Sequence, residues 1–122
     1  MNTEMILFRE DIIRIAKLGY QVSSFAYFDG KFWKLRNTNR MCYFLDPATK
    51  SCKIYENRPI GCRFYPIIFD PQCGFRIDEL CPSRHTVQVD EIIYASKILL
   101  PKIMRILRGE EYENIDYKLS RR

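Results

Sequence analysis

Cys42-Tyr-Phe-Leu-Asp-Pro47, followed by Cys52-Lys-Ile-Tyr-Glu-Asn-Arg-Pro-Ile-Gly-Cys62-Arg-Phe-Tyr-Pro66, is the stretch around which the rest of the chain arranges itself. Three cysteines recur here with nine residues between each pair, and Cys73 and Cys81 follow. Turn chemistry surrounds them: Asp46-Pro47 after Cys42, Gly61 before Cys62, Gly74 after Cys73 and Pro82 after Cys81. Short loops can aim several sulfurs at one point with little loss of entropy. Thiolates are soft donors suited to Zn²⁺ or an iron–sulfur cluster. No pair has the Cys-x-x-Cys spacing that marks zinc most sharply. Spacing alone therefore leaves three readings open: metal ligands, small core residues or disulfide partners.

Outward from this ladder the pattern predicts an α+β fold. Before it, Phe8, Ile12, Ile13, Ile15 and Ala16 follow helical spacing, with Glu10 and Asp11 in the dipole-favoured first turn and Gly19 as a stop. Residues 5–7 read as a short extended approach, and residues 21–28 as a second short helix or a strand. Asp29-Gly30 is a turn signal, and residues 31–36 alternate as a strand, giving a hairpin with Phe25, Tyr27, Phe32 and Leu35 inward. Residues 41–45 read as a strand, residues 53–57 as one helical turn ended by Arg58-Pro59, and residues 67–69 and 75–77 as two short strands. From Thr86 or Gln88 a long helix begins, with a broad apolar face that includes Val89, Ile93, Leu99, Leu100, Ile103, Ile106 and Leu107. Pro101 is expected to kink or restart it, and Gly109 to end it before a polar tail anchored by Tyr112, Ile115 and Leu119.

A chain of 122 residues fits one domain, residues 1–122. With 47% hydrophobic and 29% charged residues its composition is that of a globular protein. No apolar run is long enough for a membrane span, and the N-terminus has no basic region leading into an apolar one. The expectation is a cytoplasmic protein. Long-lived disulfides are rare in that compartment, and five cysteines are an odd number for a disulfide framework. The net charge of +5 is read as a solvated surface.

The order Cys52, Ile54-Tyr55-Glu56, Arg58-Pro59, Cys62-Arg63 and Pro66, with Cys42 upstream, resembles the YkgJ-like cysteine-cluster proteins, the CxxCxxCC zinc- or iron-chelating domain. That group includes relatives of the flagellin lysine N-methylase. The resemblance covers roughly residues 4–82 and leaves residues 86–122 as a helical extension. It implies metal binding through Cys42, Cys52, Cys62 and Cys81, which match the downstream part of the family's ligand set. Cys73 then becomes an extra thiol. The eponymous CxxCxxCC segment would stand ahead of Met1. Two expectations follow: a start placed too late, which is slightly favoured and makes the ladder half of a larger site, or a short form with half the ligand set.

His85 follows Cys81 at a spacing that Cys/His zinc sites use, and with Cys73 it stands as a reserve ligand behind the role of helix cap. Arg58 and Arg63 flank Cys62 and are read as supporting charges, since four thiolates around Zn²⁺ leave a net negative centre. The leading function is thus a metal-binding protein carrying zinc or an iron–sulfur cluster. The alternatives are an iron–sulfur redox or methylase-like modification component working with a partner, and a basic nucleic-acid accessory suggested by Lys31-Phe-Trp-Lys-Leu-Arg36. No catalytic constellation presents itself, and nucleic acid is not the expected partner. A protein partner or a homodimer through the C-terminal helix is.

Overall fold

The computed structural model describes residues 5–38, 41–78, 87–112 and 115. They form the predicted α+β fold. In chain order it comprises β1 (Ile6–Leu7), α1 (Arg9–Ala16), α2 (Val22–Phe25), β2 (Ala26–Phe28) and β3 (Trp33–Leu35). Next come β4 (Asn37–Thr38), β5 (Met41–Cys42), a 3₁₀ turn at Tyr55–Asn57 and α3 (Ile60–Arg63). The chain continues with β6 (Ile67–Asp70), β7 (Gly74–Ile77) and α4 (Val89–Leu107). The stretch read as helix or strand is both, since α2 runs directly into β2.

The central sheet is antiparallel in the order β1-β3-β2, with Leu7 opposite Trp33 and Phe28 opposite Trp33 on the other side. The Asp29-Gly30 turn forms as expected: the Asp29 carboxylate accepts the Lys31 and Phe32 amides at 2.9 and 2.8 Å, and Gly30 sits at φ +107°. That backbone region is open to glycine at no steric cost. One inward assignment is corrected. Tyr27 stays half-buried with Arg36 over its ring, and Trp33 takes the buried position instead. Side chains alternate along a strand. The register that sets Ala26 opposite Leu35 and Phe28 opposite Trp33 puts Ala26, Trp33 and Leu35 in one cluster, with Tyr27 opposite Lys34 on the other face.

Two hydrophobic clusters use this alternation. Leu7 joins Ile12, Ile15, Val22, Phe25, Trp33, Leu35, Phe44 and Ile54 in the first. Ile6, Phe8 and Phe32 join Ile60, Leu99, Ile103 and Ile106 in the second. Neighbouring residues of β1 thus feed opposite cores, one under α1 and the cysteine loops, the other under α4.

Helix α4 is a single element through Pro101, so it does not restart there. Proline leaves the carbonyl four residues earlier without its helical donor. Both Lys97 and Pro101 are exposed, so water can satisfy that carbonyl. The breadth of its apolar face is a second correction: Ala95, Leu99, Ile103 and Ile106 are buried, while Val89, Ile93, Leu100 and Leu107 face solvent. Beyond Gly109, Glu111 and Tyr112 are pinned to the sheet and helices. Buried Glu111 accepts the Arg9 amide at 2.9 Å and Arg105 at 3.1 Å. The Tyr112 hydroxyl donates to the Leu7 carbonyl at 2.7 Å and accepts the Trp33 amide at 3.1 Å, clamping β1 to β3. Leu119 lies outside the described residues. Among the described residues, no helix is long and apolar enough to cross a membrane.

Candidate metal centre

Three of the predicted ligands arrive by different local devices. Cys42 ends β5, paired with Asn37 of β4, and its sulfur accepts the Phe44 amide at 3.4 Å. An N–H aimed at sulfur from two residues on favours the thiolate form. Cys52 is brought back beside it by the Asp46-Pro47 turn. Asp46 accepts the Ala48 amide at 2.9 Å on its side chain and the Lys50 amide at 2.8 Å on its carbonyl, and Leu45 then bridges to Cys52. Lys50 holds the left-handed backbone, φ 60°, that closes the loop. Cys62 lies in α3, introduced by buried Pro59.

Gly61 packs α3 against the residue before β1: a Cβ there would come within 2.7 Å of the Met5 sulfur, which would have to shift, and 3.5 Å from the Ile6 carbonyl oxygen.

Cys42, Cys52 and Cys62 open onto one cavity of about 690 Å³, whose wall also includes Met5, Tyr55 and Arg58. The thiols feel one another. Burial pushes Cys62 up to about 12, with the negative fields of Cys42, Asp11 and Cys52 adding to it and Arg58 opposing it. Burial likewise raises Cys42, with Cys52 adding to the effect against the Phe44 amide. Grouped thiols that resist ionisation together are a site where a cation would relieve the repulsion. The donor set therefore fits zinc or an iron–sulfur cluster. Among the described residues, no three of His, Cys, Asp and Glu are gathered tightly enough to hold a metal ion by themselves.

The remaining predicted residues separate. Arg58 stays at the cavity, its guanidinium donating to the Tyr55 carbonyl at 2.8 Å and lying 4.1 Å from the centre of the Tyr55 ring. Arg63 is exposed and lines a different cleft, with Tyr65, Asp90 and Tyr94. Cys73 is exposed in the β6–β7 turn. Cys81 and His85 lie outside the described residues.

The residue that sequence reading missed is Asp11. Read as a helix-dipole charge, it is wholly buried and links α1 to the cysteine loop. Its carboxylate accepts the Phe8 amide at 3.0 Å, the Ile60 amide at 3.0 Å and the Arg14 guanidinium at 2.9 Å. Arg14 in turn donates to the Arg58 carbonyl at 3.0 Å and the Asn57 carbonyl at 3.4 Å. Burial raises the Asp11 carboxyl above its ordinary value against the pull of these amides and Arg14. The two side chains thus hold both flanks of Pro59, three residues from Cys62. The only sequence signal was an acidic residue at the third helical position with arginine three further on.

A family model described as "CxxCxxCC: Putative zinc- or iron-chelating domain" matches residues 2–91. The chain belongs to this family. Its family is thus one described as chelating zinc or iron, which agrees with the thiol-lined cavity and supports metal binding in general. Among curated proteins, an "Uncharacterized protein MJ0661" of Methanocaldococcus jannaschii is 45% identical over 40 residues. That match covers 33% of this chain and 22% of the relative, so the chain spans well under two thirds of it. No solved structure matches.

Proposed function

We propose that the protein holds zinc or an iron–sulfur cluster through the thiolates of Cys42, Cys52 and Cys62, with Cys81 as the fourth ligand. The observation that carries this reading is the opening of three thiols, each ten positions from the next, onto one cavity. Four sulfur donors suit either group. Arg58 offsets part of the negative charge that the thiolates would bring, as its field on Cys62 already does. Asp11 and Arg14 fix the loop that carries Cys62, so the ligand is held by polar contacts as well as by its own short helix.

The experiment is anaerobic purification followed by a visible spectrum, metal analysis and sulfide determination. A brown protein containing iron and sulfide supports the cluster. A colourless one with stoichiometric zinc supports a closed zinc site. A protein that carries neither metal, and takes up neither on reconstitution after reduction, would sink the proposal.

A further inference from the structure

We infer that the exposed face of α4 joins two copies of this chain as antiparallel helices. Val89, Ile93, Leu100, Met104 and Leu107 are each between 42% and 73% exposed. At ~100° per residue they fall within an arc of about 60° along the whole length of α4. The arc is distinct from the buried one formed by Ala95, Leu99, Ile103 and Ile106. A solvent-facing helix side ordinarily carries charge. An apolar stripe interrupted only by Ser96 and flanked by Lys97 instead marks a contact surface, with exposed Tyr94 and Ile98 lying outside it.

Charge placement selects the occupant. Asp90 and Glu91 lie in the first turn of α4, and Arg105 and Arg108 lie at its end. Asp90 and Arg108 are about five helical turns apart and therefore share one flank of the stripe. In an antiparallel pair centred near Leu99, Asp90 stands opposite Arg108 of the partner subunit, twice over by symmetry. A parallel pair would leave Asp90 and Arg108 of the two copies about 27 Å apart along the axis and forgo these contacts. Arg108 contacts Glu110 at 3.3 Å, and both are about half exposed. A surface ion pair of this kind is weak enough to exchange.

Area agrees with a modest dimer. The five side chains expose roughly 450 Å² of apolar surface. A symmetric pair with its charged flanks would cover about 1,000 Å² or slightly more, where specific association begins. The inference is independent of the metal reading.

Sedimentation velocity of the full chain over a wide concentration series tests it. The expected result is a monomer–dimer equilibrium. Leu100→Glu, on the exposed face, weakens association at least about tenfold while far-UV circular dichroism stays unchanged. Asp90→Arg or Arg108→Asp alone weakens the dimer, and the two together restore it. A monomer at every concentration overturns the inference and assigns the face to another occupant. A dimer indifferent to Leu100→Glu overturns the choice of face. A charge-swapped double variant no better than its parents overturns the antiparallel register.

Discussion

The two cores on either side of the central sheet are held in different ways. Under α4, the second cluster is sealed by one helix of nineteen residues whose buried ridge repeats every three or four positions. Among the described residues on the cysteine side, no element beyond α1 exceeds four residues, and the thiols sit on a strand end, a single bridge and a one-turn helix. The α4 side is stabilised by apolar area, which is tolerant of small shifts. The cysteine side relies on directional contacts: the Asp11 bracket, the Asp46 turn and the Leu45–Cys52 bridge. A site that must aim sulfurs at one point gains from directionality, whereas a helix covering a core does not need it.

Substitution should break the two sides differently. Asp11→Ala is expected to have the largest effect, roughly 3–4 kcal/mol, because two buried amides and Arg14 lose their acceptor. Chemical denaturation would show the loss. Metal content per folded molecule should fall with it. Ile103→Ala should cost about 3 kcal/mol through a cavity under α4, yet leave metal per folded molecule unchanged. If both variants lost metal in proportion to stability alone, the distinction between the sides would fail.

Within the cysteine side, Cys62→Ser should lower the melting temperature of the metal-loaded protein by several degrees, and Cys73→Ser should leave it in place. Equal melting temperatures for the two would remove Cys62 from the ligand set. The smallest effect belongs to the hairpin between the cores. Burial pushes the Asp29 carboxyl up, but the Phe32 and Lys31 amides and Lys34 outweigh it and hold it below its ordinary value. A lowered folded-state value means that this stabilisation is complete above about pH 4 and is lost as pH falls through the folded-state value. Asp29→Asn should therefore destabilise by a few tenths of a kcal/mol at neutral pH. The gap from the wild type should close in acid, as thermal melts at a series of pH values would show.

Much of this was legible in the sequence, for reasons that differ by element. Helix α1, the Asp29-Gly30 hairpin and α4 were readable because periodicity and turn residues are local signals. The gathering of Cys42, Cys52 and Cys62 was readable as a possibility, because turn residues surround each of them. Asp11 was not readable: its decisive partner, the Ile60 amide, is forty-nine positions away, and nothing local distinguishes a buried carboxylate from a solvated one. The buried arc of α4 was hidden for the opposite reason. Apolar residues cover so much of the helix that periodicity could not say which arc the sheet would take. Tyr27 and Trp33 exchanged places because apolar clusters pack on both faces of the sheet, and alternation alone does not say which face buries the aromatic fully.

The hydrogen bond from the Ile60 amide to Asp11 also ties together the lifetimes of two distant segments. That amide can exchange its proton with solvent only when the Asp11 carboxylate lets go, which also uncaps the Phe8 end of α1. Loop opening at the cysteine site and fraying of the first helical turn thus become one cooperative event. The Ile60 and Phe8 amides should share a single protection factor, well above those of the exposed turn at residues 47–50.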